Sequence, residues 1–145
     1  VLEGMHRGIG LERVCIAFIR GHRLVAKYVL GEGTSHWRDN FQMDIGPFTD
    51  SIFTHSLEKS GGHWFDQTAV DEDSGRLFPA DLVSVLGKYP AYTYVLEVEG
   101  RKVAVFYADR YKFGGKLSEE QFESFKHFAG QAQISLSVLS QQSNR

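Results

Sequence analysis

The sequence predicts an α+β fold, a central antiparallel sheet of five or six strands bracketed by a helix at each end. Three observations carry this. Two apolar runs are each folded back by a Gly-containing break: Val14 to Arg20 with Leu24 to Leu30 across Gly21-His22, and Ala91 to Glu99 with Val103 to Asp109 across Glu99-Gly100-Arg101-Lys102. A long amphipathic segment follows the last of them. The strand runs lie next to their partners in sequence, which favours antiparallel hairpins over crossover units.

The stretch from Arg101 to Leu139 is the best defined. Val103 to Asp109 is nearly continuous in apolar residues, the pattern of a central strand covered on both faces. Ser118 and Gln121 have the spacing of a capping box, and Glu119 and Glu120 fall in the first turn, where the helix dipole favours negative charge. Phe122, Phe125, Ala129, Ala132, Leu136 and Leu139 then recur at steps of three and four, an inward stripe. At the other end, Leu2, Met5 and Ile9 share one face of a helix end stopped by Gly8 and Gly10, a helix expected to begin upstream of Val1 and to partner the C-terminal one.

Between the hairpins the pattern is broken. Lys27 marks the return strand of the first hairpin as an edge. Thr34 to Pro47 reads as irregular, with Trp37 and Phe41. Thr49 or Asp50 is placed to cap a short helix running to Ser60 and stopped by Gly61-Gly62, and His63-Trp64-Phe65 is a short strand. Val70 to Arg76 reads as an acidic turn, and Pro79 opens a last short helix closed by Gly87 after Leu86.

Composition bounds the function. The chain has 145 residues, 42% hydrophobic and 13% aromatic with eleven Phe, enough for one core and for a pocket. A formal net charge of −2 lacks the footprint of a nucleic-acid binder, and no apolar run reaches the length of a membrane span. A single cysteine, Cys15, excludes an internal disulfide framework and fits a reducing, cytoplasmic setting. Residues 1–140 read as one domain and 141–145 as a polar tail.

The residues that carry chemistry are few. Cys15 sits within an apolar strand, as a small buried hydrophobe does. The six histidines, at 6, 22, 36, 55, 63 and 127, share no ligand spacing, so no metal is expected. Asp71-Glu72-Asp73-Ser74-Gly75 fails as a calcium loop, since Gly falls at position five and Leu82 at twelve. Arg110, Lys112 and Lys116, interleaved with Tyr111 and Phe113, form a basic-aromatic loop able to grip a phosphate or an acidic partner. No nucleophile elbow, phosphate loop or HExxH occurs, so no enzyme is expected. The aromatic set stands out. Trp37, Phe41, Phe53, Trp64 and Phe78 come from the middle segment, and Phe18, Tyr94, Tyr107 and the strand-ending Asp109 from the sheet. Together they are the candidate ligand-binding residues, of no named cofactor.

Several stretches resemble one family. Gly10-Leu11-Glu12-Arg13-Val14 before the first strand, Gly46-Pro47-Phe48 before the middle helix, Val103 to Asp109, Leu117-Ser118-Glu119-Glu120 and Ala129-Gly130-Gln131-Ala132 are similar to the pattern of GAF domains, over nearly the whole chain. The resemblance is to the modules of bacterial signalling proteins, including those with an upstream HDOD domain. It implies terminal helices on one sheet face and a small-molecule pocket on the other, roofed by about residues 31–87. It also implies a relay through the terminal helices to a neighbouring signalling domain or a second subunit; a ligand-free dimerisation module is the alternative. The chain departs from the cyclic-nucleotide-binding members at Asn40-Phe41, where they carry Asn-Lys. It lacks the Cys motif of the bilin-binding members, and the several Cys of the sulfoxide reductases.

Overall fold

The computed structural model describes residues 1–66, 74–111 and 116–143. Six strands form one antiparallel sheet: β1 Arg13–Arg20, β2 Arg23–Leu30, β3 Gln42–Asp44, β4 Gly61–Phe65, β5 Ala91–Val98 and β6 Arg101–Asp109, in the order β3-β2-β1-β6-β5-β4. β6, whose apolar run has the pattern of a central strand, and β1 are the two middle strands. Both hairpins have two-residue turns with positive φ, at Gly21 in the first and at Glu99 and Gly100 in the second.

Among the described residues, five α-helices connect or flank the sheet: α1 Trp37–Asn40, α2 Ile52–Leu57, α3 Ser74–Leu77, α4 Ala80–Leu86 and α5 Glu119–Ser143. Several boundaries differ from expectation. The irregular stretch after β2 contains α1 and the edge strand β3. α2 is capped by Ser51, not by Thr49 or Asp50. The Ser51 side chain accepts from the backbone N–H groups of Phe53 and Thr54, and Thr54 reaches back to the Ser51 N–H. Gly61 and Gly62 do not stop a helix; they open β4. The Ser118–Gln121 box forms as expected. Of the acidic turn expected from Val70 to Arg76, residues 70–73 lie outside the described residues and 74–76 belong to α3, not to a turn. Lys112 and Phe113 also lie outside the described residues, and α5 continues to Ser143, into the stretch read as a tail.

Strand alternation sends side chains to two separate clusters. One face carries Cys15, Ala17, Leu24, Ala26, Val105 and Tyr107, roofed by Trp37, Phe41, Ile52, Phe53, Phe78 and Leu82 from the middle segment. The other carries Val14, Tyr92, Leu96, Ala104 and Phe106 under Met5, Phe125 and Ala129. The terminal elements therefore share one face and the middle segment covers the other. The N-terminal element is a single π-helical turn, Gly4–Gly8. It packs so closely on α5 that a Cβ at Gly4 would sit 2.5 Å from the Phe128 ring. Leu139, expected on the inward stripe of α5, is 57% exposed, because that end of the helix has little sheet beneath it.

Candidate functional site

The roofed face holds a closed circuit of four rings. Trp37 meets Phe41 at 5.7 Å between centroids, Phe41 meets Phe53 at 5.6 Å, Phe53 meets Tyr107 at 5.9 Å, and Tyr107 meets Trp37 at 5.8 Å. All four are tilted or edge-on, the arrangement the ring quadrupoles favour. All are buried, and Phe78 belongs to the same cluster. Their origin is local and unlike: Trp37 opens α1 and Phe41 follows it, Phe53 lies in the first turn of α2, and Tyr107 points up from β6.

At one edge of this circuit lies a buried ion pair. Arg13 and Asp109 are cross-strand partners at facing ends of β1 and β6. Arg13 Nε donates to Asp109 Oδ1 at 2.9 Å and Nη2 donates to Oδ2 at 2.6 Å, a bidentate fork. Nη2 also donates to the Leu86 carbonyl at 2.6 Å, which ties the end of α4 to the sheet. The Tyr107 hydroxyl donates to Asp109 Oδ2. The guanidinium carbon lies 4.2 Å from the ring centre of Tyr111, 5.0 Å from that of Trp37 and 5.4 Å from that of Tyr89, so aromatic rings enclose the cation. Tyr111 is held there by donating to the Glu32 carbonyl at 3.2 Å.

The electrostatics follow from burial. Burial opposes the charge on Arg13, but the hydrogen bond to Asp109 and the nearby Tyr107 outweigh it, and the guanidinium holds its proton more tightly than usual. Burial pushes the Asp109 carboxyl up from the ordinary carboxylate range, against the Arg13 and Tyr107 donors that favour the anion. Tyr107 is raised by burial and by the carboxylate beside it. Cys15 is buried on the same face, and desolvation raises its thiol. On this face the indole Nε1 of the fully buried Trp37 has no hydrogen-bond partner among the described residues, and the Trp64 Nε1 on the helix side likewise has none.

Of the candidate residues, the structure gathers Trp37, Phe41, Phe53, Phe78, Tyr107 and Asp109 on the roofed face. It does not bring Phe18, Trp64 and Tyr94 to them; these three lie on the helix side. The reason is strand parity. Phe18 stands opposite Ala104, Tyr94 opposite Phe106 and Trp64 opposite Tyr92, all one step out of phase with Tyr107. Trp64 instead packs on Tyr92 and Phe122 of the helix side. Arg13 and Tyr89 were missed as site residues. The available signal for Arg13 was a cation opening one apolar strand and an anion closing another, positions that coincide only once the two strands are paired antiparallel. Of the basic-aromatic loop, Arg110, Tyr111 and Lys116 are described, and the Tyr111 ring lies against the Arg13 guanidinium.

No family model and no curated protein sequence matches the chain. Solved structures do. A methyl-accepting chemotaxis protein, residues 122 to 287, is similar with a TM-score of 0.71 at 20% identity, over 94% of this chain and 86% of that one. The GAF domain/HD domain protein of Geobacter sulfurreducens is similar with a TM-score of 0.69 at 13% identity, over 97% and 92%. The free methionine-R-sulfoxide reductase of Neisseria meningitidis, solved with its substrate, is similar with a TM-score of 0.65 at 15% identity, over 96% and 74%. Six antiparallel strands, terminal elements on one face, a helical roof on the other and these likenesses lead to one conclusion: the chain has the GAF fold found in domains of bacterial signalling proteins.

Proposed function

We propose that the chain is a non-catalytic sensory domain of a bacterial multidomain signalling protein. A small molecule binds on the roofed face, and the bound state is relayed through the terminal helices to a neighbouring domain. The observation that carries the ligand reading is that Trp37 Nε1 has no hydrogen-bond partner among the described residues. A buried donor without an acceptor costs about 1–3 kcal/mol, and a ligand carrying an acceptor atom would remove that cost. The surrounding groups suit a neutral ligand: four aromatic rings packed on one another, and a cation already paired with Asp109. A non-catalytic role is supported by chemistry, since the one cysteine is buried with a raised thiol and the Asp109 carboxylate is held by Arg13 and Tyr107.

The test uses the Trp64→Phe variant, in which Trp37 is the sole tryptophan. A panel of metabolites and nucleotides is screened for a raised melting temperature. The expected binder raises it and changes Trp37 emission. A binder that stabilises the chain without touching Trp37 emission, or a saturating panel that moves neither signal, overturns the reading.

A second reading, a ligand-free dimerisation module, is favoured by α5. Ile134, Val138 and Leu139 are 66%, 45% and 57% exposed, and residues 128–144 contain no Asp, Glu, Lys or Arg. This C-terminal part of α5, uncharged and with exposed apolar side chains, has no like-charge barrier to pairing with its own copy. A strict monomer at high concentration removes this reading.

A further inference from the structure

The two faces of the sheet are separate cores, so a change under the roof needs a route to α5. The closed end of the β5–β6 hairpin is touched from both sides. Glu97 and Lys102 are cross-strand partners there. On the roofed side, Lys102 Nζ donates to the carbonyl of Leu57, the last residue of α2, and Ser60 just beyond α2 donates to the Glu97 carboxylate. On the helix side, Gln133 of α5 grips the Glu97 backbone twice. Its Oε1 accepts from the Glu97 N–H at 2.7 Å and its Nε2 donates to the Glu97 carbonyl. One turn and three residues later, Ser140 donates to the Glu99 carboxylate at 2.9 Å.

Gln133 finds those backbone groups open for a reason. β4 ends at Gly61, opposite Val95, so no strand continues alongside Glu97. The register of β5 with β6 also shifts between Leu96 and Glu97, a bulge with Val103 as the extra residue. The Gln133 amide therefore stands in for the missing strand neighbour. Past Gln133 the apolar anchoring of α5 thins, with Ile134, Val138 and Leu139 exposed. Two polar contacts thus hold a larger share of this end of the helix than they would over the core.

We propose that the Glu97–Lys102 hairpin end is the mechanical link between α2 and the C-terminal half of α5, with Gln133 as its latch. A shift of α2 pulls on Lys102 and on Glu97, tilts the bulged strand end, and loosens or tightens the Gln133 grip. This rests on the relay named above but not on the identity, or existence, of a ligand. It requires two arrangements of one element that both sites bias.

The experiment is a double-mutant cycle in the chain without added ligand, read by amide hydrogen exchange along α5. Lys102→Met keeps the aliphatic stem and removes the bond to Leu57; Gln133→Leu removes the latch. Lys102→Met, although its lost bond is on the far side of the sheet, is expected to speed exchange from Ile134 to Ser143 by about fivefold, the scale of one hydrogen bond. In the Gln133→Leu background it is expected to add nothing. If Gln133→Leu does not fold, Gln133→Met, which keeps an unbranched stem and removes the amide without adding charge, closes the cycle. Unchanged α5 exchange in Lys102→Met, or effects that multiply independently, overturns the link. Because no ligand is present, a failed ligand screen and a failed cycle are separate results.

Discussion

The two faces of the sheet solve the same packing problem differently. The helix side is covered mainly by one continuous helix, α5, with the N-terminal turn beside it, and its buried side chains are almost all apolar. Its polar contacts sit at the margins, where Tyr92 donates to the Ser118 carbonyl and Gln133 grips Glu97. The roofed side is covered by α1, α2, α3 and α4, each at most seven residues long, and it contains a fully buried ion pair. Helices this short have little stability of their own. The difference teaches that the roof depends on specific polar ties, Arg13 to Leu86, Ser56 to Thr93 and Lys102 to Leu57, where the other face relies on one stripe of a long helix.

The largest expected effect breaks the roof's anchor. Asp109→Asn leaves the Arg13 charge buried without its counter-ion and is expected to cost about 3–5 kcal/mol in denaturant unfolding. The paired replacement Arg13→Met with Asp109→Leu is expected to recover most of that loss. If Asp109→Asn alone is neutral, the ion pair is not what holds the roof.

A smaller loss sharpens the comparison within the roof. Ser51→Ala removes the acceptor for the Phe53 and Thr54 N–H groups, and about 1 kcal/mol of stability is expected to go with it. Exchange should quicken in α2 and leave the first turns of α5 unchanged.

The effect confined to the narrowest conditions belongs to the helix side and is a pH slope. Burial pushes the Tyr92 phenol up to about 12 from 10.0, although its bond to Ser118 works the other way. Between those values the unfolded chain releases the proton while the folded chain keeps it, so stability falls as pH rises through this window. Tyr92→Phe is expected to reduce that slope, not to abolish it, because Tyr107 acts in the same direction. An unchanged slope from pH 10 to 12 would count against the assignment.

Much of this architecture was legible in the residues. The hairpins announced themselves through Gly21 and Gly100, and α5 through the Ser118–Gln121 box. β3 was not legible, because a three-residue edge strand carries too short a pattern to rise above its loop. The roofed aromatic cluster was legible in part. Trp37, Phe41, Phe53, Phe78, Tyr107 and Asp109 were found by residue type and segment. Phe18, Trp64 and Tyr94 were assigned to the wrong face, since alternation gives two faces without saying which one each phase joins.

Local chemistry alone set the turn positions, the helix cap of α5 and the apolar identity of β1 and β6, because those depend on neighbours within a few residues. Which face each strand offers to the roof, the meeting of Arg13 with Asp109 across 96 residues, and the Gln133 grip on Glu97 were decided by strand pairing. Pairing is a long-range event, and a single shift of register would have sent each of those side chains to the opposite side.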